Sequence, residues 1–596
     1  MKEIGIKSYL SVGTVSNPVY DPNSNNLIFI ADYSGLPQVW AKDFDISEPT
    51  RISFTNERIT FVKYLNSSSQ RGLLIGMDVC GNEKQQLFLL KSDGLLIPLT
   101  NSPDHKHEYG GQSPDGKWIA WSSNRRHPAF FDIYIQNVET LEIQMVLSKD
   151  GLYSSIMWSP DCNSLLIRKT NSQLDNDLGL LNLDTGEMNW LTDHQGEASY
   201  KNPHFSKDGN HLYLLTNQDR EFFGLAIIDL STKHITWLEV GQWDFEGLAM
   251  SKDHSKLAFS INEGGISRGI LLDLKSSALY TWKTPMGMIT NLTFSPDNQK
   301  LAYVFNGPTY PSDIWQVDLK KMKTERLTQS LQTKLLENKL IEPILISFKS
   351  FDNLQIPAFY FKPNTQSEKI PVILYVHGGP ESQIRAVFNP FLQYFLSLGY
   401  AIITPNVRGS TGYGKTYTHL DDVRKRMDSV RDLVSLVDWL KQEGSTDPNR
   451  VAIMGGSYGG FMVLAAISHY PELWSAAIDL VGISSFRTFL KKTSPWRRKL
   501  REVEYGTIEK DGNFYDLIDP LNQTDRITSP LMVLHGANDP RVPIEESEQI
   551  INKLMARNHP VKFICFENEG HSIVKLNNKI TAYTAIAHFL NHYIGK

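Results

Sequence analysis

Three residues at the ends of apolar runs have the types and order needed for nucleophilic catalysis. Ser457 stands between two pairs of glycines in VAIMGGSYGGFMV (451–463). Asp539 follows LMVLHGAN, and His571 follows FICFENEG. A serine hydroxyl is a weak nucleophile until a base takes its proton, and that base needs an acid to hold its tautomer. The order Ser, Asp, His, each beyond a separate strand-like run, places all three at strand C-terminal ends, where open α/β sheets gather their reacting groups. His535 is a rival base, but it precedes the acid and ends its own strand, so His571 is the expected base.

The serine lies in Gly455-Gly456-Ser457-Tyr458-Gly459, a G-x-S-x-G pentapeptide. RVAIMGG before it reads as a strand and GGFMVLAAISHYP after it as a helix, which is the context the motif requires. Such a sharp turn crowds neighbouring Cβ atoms, and glycines relieve the crowding. The hydroxyl is then held in a strained conformation above the sheet, with free N–H groups of the helix start facing a developing oxyanion. A second oxyanion donor is expected from the loop after an earlier strand. LYVHGGPESQ supplies it, so the backbone N–H groups of Tyr458 and Gly378 are the expected pair.

The elements that must position these residues are those of an α/β sheet. PVILYV (371–376) is a short continuous apolar run, as in a strand buried on both faces. YAIITPNV, RVAIMGG, WSAAIDLVG, PLMVLHG and VKFICFE continue the series. Helical patterns alternate with them, including MDSVRDLVSLVDWLKQEG with its glycine stop at Gly444. A mostly parallel sheet covered on both sides follows.

The first half has another rhythm. An apolar strand, Ser-(Pro/Lys)-Asp and a second apolar strand recur at Ser113, Ser159, Ser206, Ser251 and Ser295. The Asp, Asn, Gly and Pro residues make a tight turn and the flanking alternation makes a hairpin. Two further strands per unit give four short strands every ~45 residues, the signature of propeller blades. Units starting near 17, 58, 107, 153, 199, 244 and 288 predict seven blades. The expected architecture is an N-terminal seven-bladed β-propeller (1–330) and a C-terminal α/β-hydrolase domain (331–596).

Bulk properties exclude other classes. A length of 596 residues calls for more than one core. Sixty basic residues against sixty-five acidic ones leave a net charge of −5, with no basic footprint for nucleic acid or anionic membrane. No apolar stretch approaches the ~18 residues of a membrane span, and the N-terminus lacks the apolar core of a secretory signal. Three scattered cysteines argue against a disulfide framework and for a reducing cytoplasm. The DHKH run at 104–107 is expected to be a solvated turn rather than a metal site. No metal or cofactor is called for, and oligomeric state is open.

HGGP, NVRGSTGYG (406–414), GGSYGG, HGANDPRVP and EGHSI together resemble the prolyl oligopeptidase family of serine peptidases, and the likeness covers nearly the whole chain. HGGP and the length are most similar to its acylaminoacyl peptidase branch. That resemblance implies removal of blocked N-terminal residues from short peptides, with the propeller covering the site and excluding folded proteins. Prolyl oligopeptidase itself has a tyrosine where this chain has His377, so only a backbone donor is expected in that loop. Dipeptidyl peptidases hold a free amine with acidic residues from the propeller side, and no matching acidic motif is visible in residues 1–330. The helix that often precedes the propeller in the acylaminoacyl branch is not expected, because the first strand begins almost at once. Dipeptidyl or aminopeptidase action, oligopeptidase action, carboxylesterase action and a non-catalytic propeller scaffold are the alternatives.

The segment 482–506 lies between a sheet strand and the acid loop. Phe486, Phe489 and Trp496 are candidates either to line an apolar substrate pocket or to pack a helical excursion, and Arg541 either to hold a substrate carbonyl or carboxylate or to support the acid loop. Arg408 reads as a structural ion-pair former.

Overall fold

The computed structural model describes residues 4–44, 48–66, 71–330, 339–367 and 369–595. Between Val15 and Arg326 the described strands form five four-stranded antiparallel sheets and one of eight strands. The eight-stranded sheet is two four-strand meanders joined by one parallel bridge, Phe131 to Leu152. Successive meanders begin at Val15, Ile59, His107, Leu152, Tyr200, Asp244 and Met288.

The repeated serine has a local job. In each repeat its hydroxyl donates to the aspartate two residues on and accepts the N–H five residues on, as in Ser113 to Asp115 (2.6 Å) and Trp118 (2.9 Å). Ser206 does the same with Asp208 and His211, and its hydroxyl is the main reason the Asp208 carboxyl lies at about 2. The turn is therefore closed by a side chain as well as by backbone.

Each meander buries one face against the next. One cluster joins Ile28, Ile30 and Val39 to Val62 and Ile75, and the same arrangement repeats around the series. The last sheet returns to the first, where Phe29 and Ala31 pack on Ala302 and Ile314. Tyr20 donates to Gln316 (2.8 Å) and Ser312 to the Val15 carbonyl (2.7 Å) across that closure.

The second part is one eight-stranded sheet. Its spatial order is Ile344–Lys349, Gln355–Phe361, Ala401–Pro405, Ile370–Val376, Thr446–Gly456, Ala476–Leu480, Leu531–Gly536 and Val561–Phe566. The first three run antiparallel to one another, and pairing is parallel from Ala401–Pro405 onward. The helices Arg426–Glu443 and Tyr458–His469 cover one face, and Pro390–Ser397 and Leu576–Ile594 the other. Ile373, Ala452, Ile453 and Met454 are fully buried between these layers, which explains the continuous apolar runs.

The two parts are tied by ion pairs and hydrogen bonds. Arg385 pairs with Glu246 at 3.0 Å, and Lys415 donates to the Glu197 carbonyl at 2.6 Å. The expected boundary between 330 and 331 falls at the edge of residues 331–338, outside the described residues. One expectation is corrected: a five-residue helix, Ile6–Leu10, precedes the first strand. Its Tyr9 is buried beside Phe388 and Tyr394, so apolar docking on the α/β part holds a turn too short to persist alone. Among the described residues the three cysteines are free, and no helix is long and apolar enough to cross a membrane.

Candidate active site

Ser457 is the residue between the strand Thr446–Gly456 and the helix Tyr458–His469, with φ 59° and ψ −121°. A non-glycine residue in this region is strained and must be held by its surroundings. The holding is visible: Ser457 N–H donates to the Leu480 carbonyl at 2.8 Å. The flanking glycines are required by close backbone approach. A Cβ on Gly459 would lie 2.4 Å from the Val376 carbonyl oxygen, and one on Gly455 2.5 Å from that of Gly459.

The Tyr458 side chain turns down into the protein and leaves its N–H at the helix start. Its hydroxyl donates to Asp421 (2.9 Å) and accepts from Arg426 (3.0 Å). Arg426 is itself buried and pairs with Asp421 and Glu504. Asp421, Asp422 and Glu504 gather their carboxylates closely, and this guanidinium supplies the countercharge.

The loop after Ile370–Val376 comes within contact of the nucleophile. A Cβ on Gly378 would lie 2.8 Å from the Gly456 carbonyl oxygen and 3.1 Å from Ser457 Cβ, so only glycine lets the backbone approach this closely. The His377 ring is buried and held by the Ser410 hydroxyl at 2.9 Å; burial pushes its pKa down.

Asp539 and His571 meet across two strand ends. His571 Nδ1 donates to Asp539 Oδ2 at 2.6 Å. The other oxygen, Oδ1, accepts the N–H groups of Arg541 (2.8 Å) and Val542 (3.1 Å). This fixes the tautomer that leaves Nε2 of His571 free to accept a proton. Among the described residues no hydrogen bond joins Ser457 to His571; such arms are often long in the absence of substrate and tighten in the complex. His535 is buried, held by Ser547 (2.7 Å) and the Val542 carbonyl (3.0 Å), which leaves it no free nitrogen to act as base.

A cavity of about 70 Å³ opens at Ser457. Phe489, Tyr505 and Val542 form its apolar wall, and Arg497, Arg501 and Arg541 also line it. Two expected pocket residues are elsewhere. Phe486 is buried one layer down, against Phe461, Tyr505 and Tyr515. Trp496 points toward the sheet-rich part, edge-on to Phe131 and under the Lys106 ammonium. The reason is helical geometry: Trp496 lies on the outward side of Pro495–Tyr505, while Arg497 and Arg501, four residues apart, share the side facing the cavity.

A second cavity, of about 420 Å³, lies between the two parts. Glu197, Glu221, Asp244 and Glu246 line it from the sheet-rich side and Glu381 from the α/β side, with Lys201 and Lys415. Residues 1–330 show no acidic motif in sequence, yet four carboxylates of that part line this one cavity. The carboxylates come from separate strands and loops, so no contiguous motif announces them. Burial pushes Asp244 and Glu381 up and Lys201 down. On the rim, His419 lies between Asp422 (2.7 Å) and Glu197 (3.2 Å), which together push it up to about 10.

Two remaining motifs resolve structurally. Arg408 is buried between Asp432 (2.9 Å) and Asp352 (3.0 Å). His107 of DHKH is not solvated as expected; it is fully buried, edge-on to Trp121. Residues that sequence reasoning missed are Glu83, Arg497, Arg501 and the interdomain carboxylates. The i, i+4 spacing of the two arginines was a usable signal; Glu83 carried none.

Residues 387–596 match the model described as the prolyl oligopeptidase family, which bears out the resemblance carried by the motifs. Dipeptidyl aminopeptidase BIII of Pseudoxanthomonas mexicana is 25% identical, with 97% of this chain and 87% of that protein covered. The acylamino-acid-releasing enzyme of Rattus norvegicus is 26% identical, over 41% of this chain and 35% of that protein. Among solved structures, a puromycin-hydrolyzing peptidase of Mycobacterium tuberculosis superimposes with a TM-score of 0.89 at 20% identity, covering 99% of this chain and 96% of that one.

Proposed function

We propose that this chain, which carries a prolyl oligopeptidase family peptidase domain, is a serine peptidase that cleaves short peptides through an acyl-enzyme. Ser457 Oγ attacks the scissile carbonyl while His571 Nε2 takes its proton. Asp539 holds the imidazole and stabilises its cation. The N–H groups of Tyr458 and Gly378 receive the oxyanion, and His571 returns the proton to the leaving amine. Water, deprotonated by the same imidazole, releases the acyl group. The observations that carry this reading are the 2.6 Å Asp539–His571 bond and a serine held at positive φ against the Gly378 loop.

Cleavage near a free N-terminus is favoured by the cavity between the two parts, whose walls carry five carboxylates; Glu246, Glu197 and Glu381 are paired with Arg385, His419 and Arg501, and Glu221 and Asp244 add to the negative charge. Gly379 lines the cavity at Ser457 and Glu381 the larger one, two residues away and so within ~8 Å along the backbone. An ammonium one or two residues upstream of the attacked carbonyl is therefore within reach of negative charge. Release of blocked residues, suggested by HGGP, is the competing reading. We further read the seven meanders as seven propeller blades, with a division near residue 330 and a steric limit on substrate size.

The deciding assay compares free-amino and N-acetylated aminoacyl and dipeptidyl p-nitroanilides, with Ser457→Ala as blank. Faster turnover of free amines supports the reading above. Faster turnover of acetylated substrates returns the acylaminoacyl one. Ester turnover without amide turnover marks a carboxylesterase, and failure of a fluorophosphonate to label Ser457 marks a scaffold. Digestion of a folded protein as fast as a decapeptide rules out the steric limit.

A further inference from the structure

We propose that the cavity at Ser457 selects an acidic side chain, Asp or Glu, at the residue whose carbonyl is attacked. The proposal rests on the serine-peptidase reading and names its substrate class.

The cavity belongs to the acyl side of the reaction. Its walls include Ser457 and Gly379 but not His571, the imidazole that protonates the leaving group. What enters it is therefore the side chain preceding the scissile bond. At about 70 Å³ it has room for several waters or a short side chain. A carboxymethyl or carboxyethyl group fits that space.

The charge of the walls then decides what kind of short side chain is favoured. Three guanidinium groups line the cavity. Two carboxylates are shared among them. Glu83 serves both Arg497 (2.5 Å) and Arg541 (2.6 Å), and Glu381 lies 3.3 Å from Arg501. The next carboxylate outward, Glu108, is taken by Lys106 at 2.6 Å. Three guanidinium groups thus share two carboxylates, and the neighbouring Asp539 carboxylate is engaged by His571 and backbone N–H groups. Arg497 Nε is buried and has no hydrogen-bond partner, a donor position that burial makes costly. A carboxylate entering here would meet donors already in place. The Tyr505 and Val542 surfaces would pack on its methylenes.

The test compares Ala-Asp, Ala-Asn and Ala-Phe p-nitroanilides, free and N-acetylated, so that the result does not depend on how the N-terminus is held. Asn matches Asp in shape and lacks the charge. Expected is a kcat/KM for Asp at least about tenfold above that for Asn, in line with hydrogen bonds to a charged group, and above that for Phe. Rising salt should narrow the gap. In Arg497→Met and Arg501→Met the Asp-to-Asn ratio should fall toward one, while Arg501→Lys should keep part of it. Fluorophosphonate labelling of Ser457 in each variant shows that its site is folded. Turnover of Asn or Phe equal to or above Asp in the wild type overturns the inference and leaves the peptidase reading intact. A ratio unmoved by either methionine variant, with labelling retained, also overturns it. No labelling and no turnover of any substrate in the wild type overturns both.

Discussion

Glu83 and Arg497 meet at 2.5 Å across 414 residues of sequence. The same carboxylate takes Arg541 at 2.6 Å, two residues beyond the catalytic-acid candidate Asp539. A loop of the sheet-rich part thus completes a cavity whose nucleophile lies in the α/β part. Glu83 acts through the two arginines and positions them.

Replacing Glu83 with Gln should leave two neighbouring guanidinium groups without their shared anion. Their displacement should lower kcat/KM on the order of tenfold, since small misplacements near the reacting centre are costly. The loss should appear mainly in KM, and Ser457 should still label with a fluorophosphonate. Unchanged kinetics would mean that the arginines are held by other contacts.

Asp539→Asn should leave the imidazole hydrogen-bonded but in the wrong tautomer. A fall in kcat of about 10⁴-fold, with KM little changed, is expected from the role of such an acid. Steady-state kinetics on any good substrate read this directly. A fall of tenfold or less would remove Asp539 from the proposed triad.

Gly378→Ala should be folded and nearly inactive. Its Cβ would lie 2.8 Å from the Gly456 carbonyl oxygen, so the loop must retreat from the nucleophile. Loss of one oxyanion donor lowers kcat by roughly 10²–10³-fold. Circular dichroism paired with kinetics checks both halves, and full activity would assign the second donor elsewhere.

Asp479 offers a pH test of stability. It is fully buried beneath the helix Tyr458–His469, and burial, opposed only by the Gly482 N–H, pushes its pKa up to about 7. The folded value lies above the ordinary value of 3.8. Folding therefore favours the protonated acid, and that advantage is complete below about pH 4 and lost as pH rises through 7. Asp479→Asn should remove the penalty and raise Tm by a few degrees at pH 8 relative to wild type, with the gain shrinking toward pH 5. Differential scanning fluorimetry across that range suffices. A gain that does not vary with pH would mean that ionisation of Asp479 is not the cause.

Much of the local structure was legible because local rules govern it. The serine repeat foretold hairpins, since Ser113 and its counterparts close their own turns through bonds spanning two to five residues. Gly455 and Gly459 announced a crowded turn, and continuous apolar runs announced strands buried on both faces. Phe486 and Trp496 stay open between pocket and packing in the sequence, because aromatic content says nothing about which side of a helix faces a cavity. The Ile6–Leu10 helix was missed because tertiary docking rather than propensity maintains it.

The sequence by itself supplied the candidates: a serine, an acid and a base in workable order, a glycine loop fit for a second oxyanion donor, and two structural rhythms. Short-range periodicity and turn chemistry suffice for those. Only the tertiary structure decided what surrounds the nucleophile. It brought Glu83 to Arg497 and Arg541, and gathered Glu197, Glu221, Asp244, Glu246 and Glu381 into one cavity. These groups are distant in the chain and become neighbours only when two independently built cores close on one another, which no local rule of sequence anticipates.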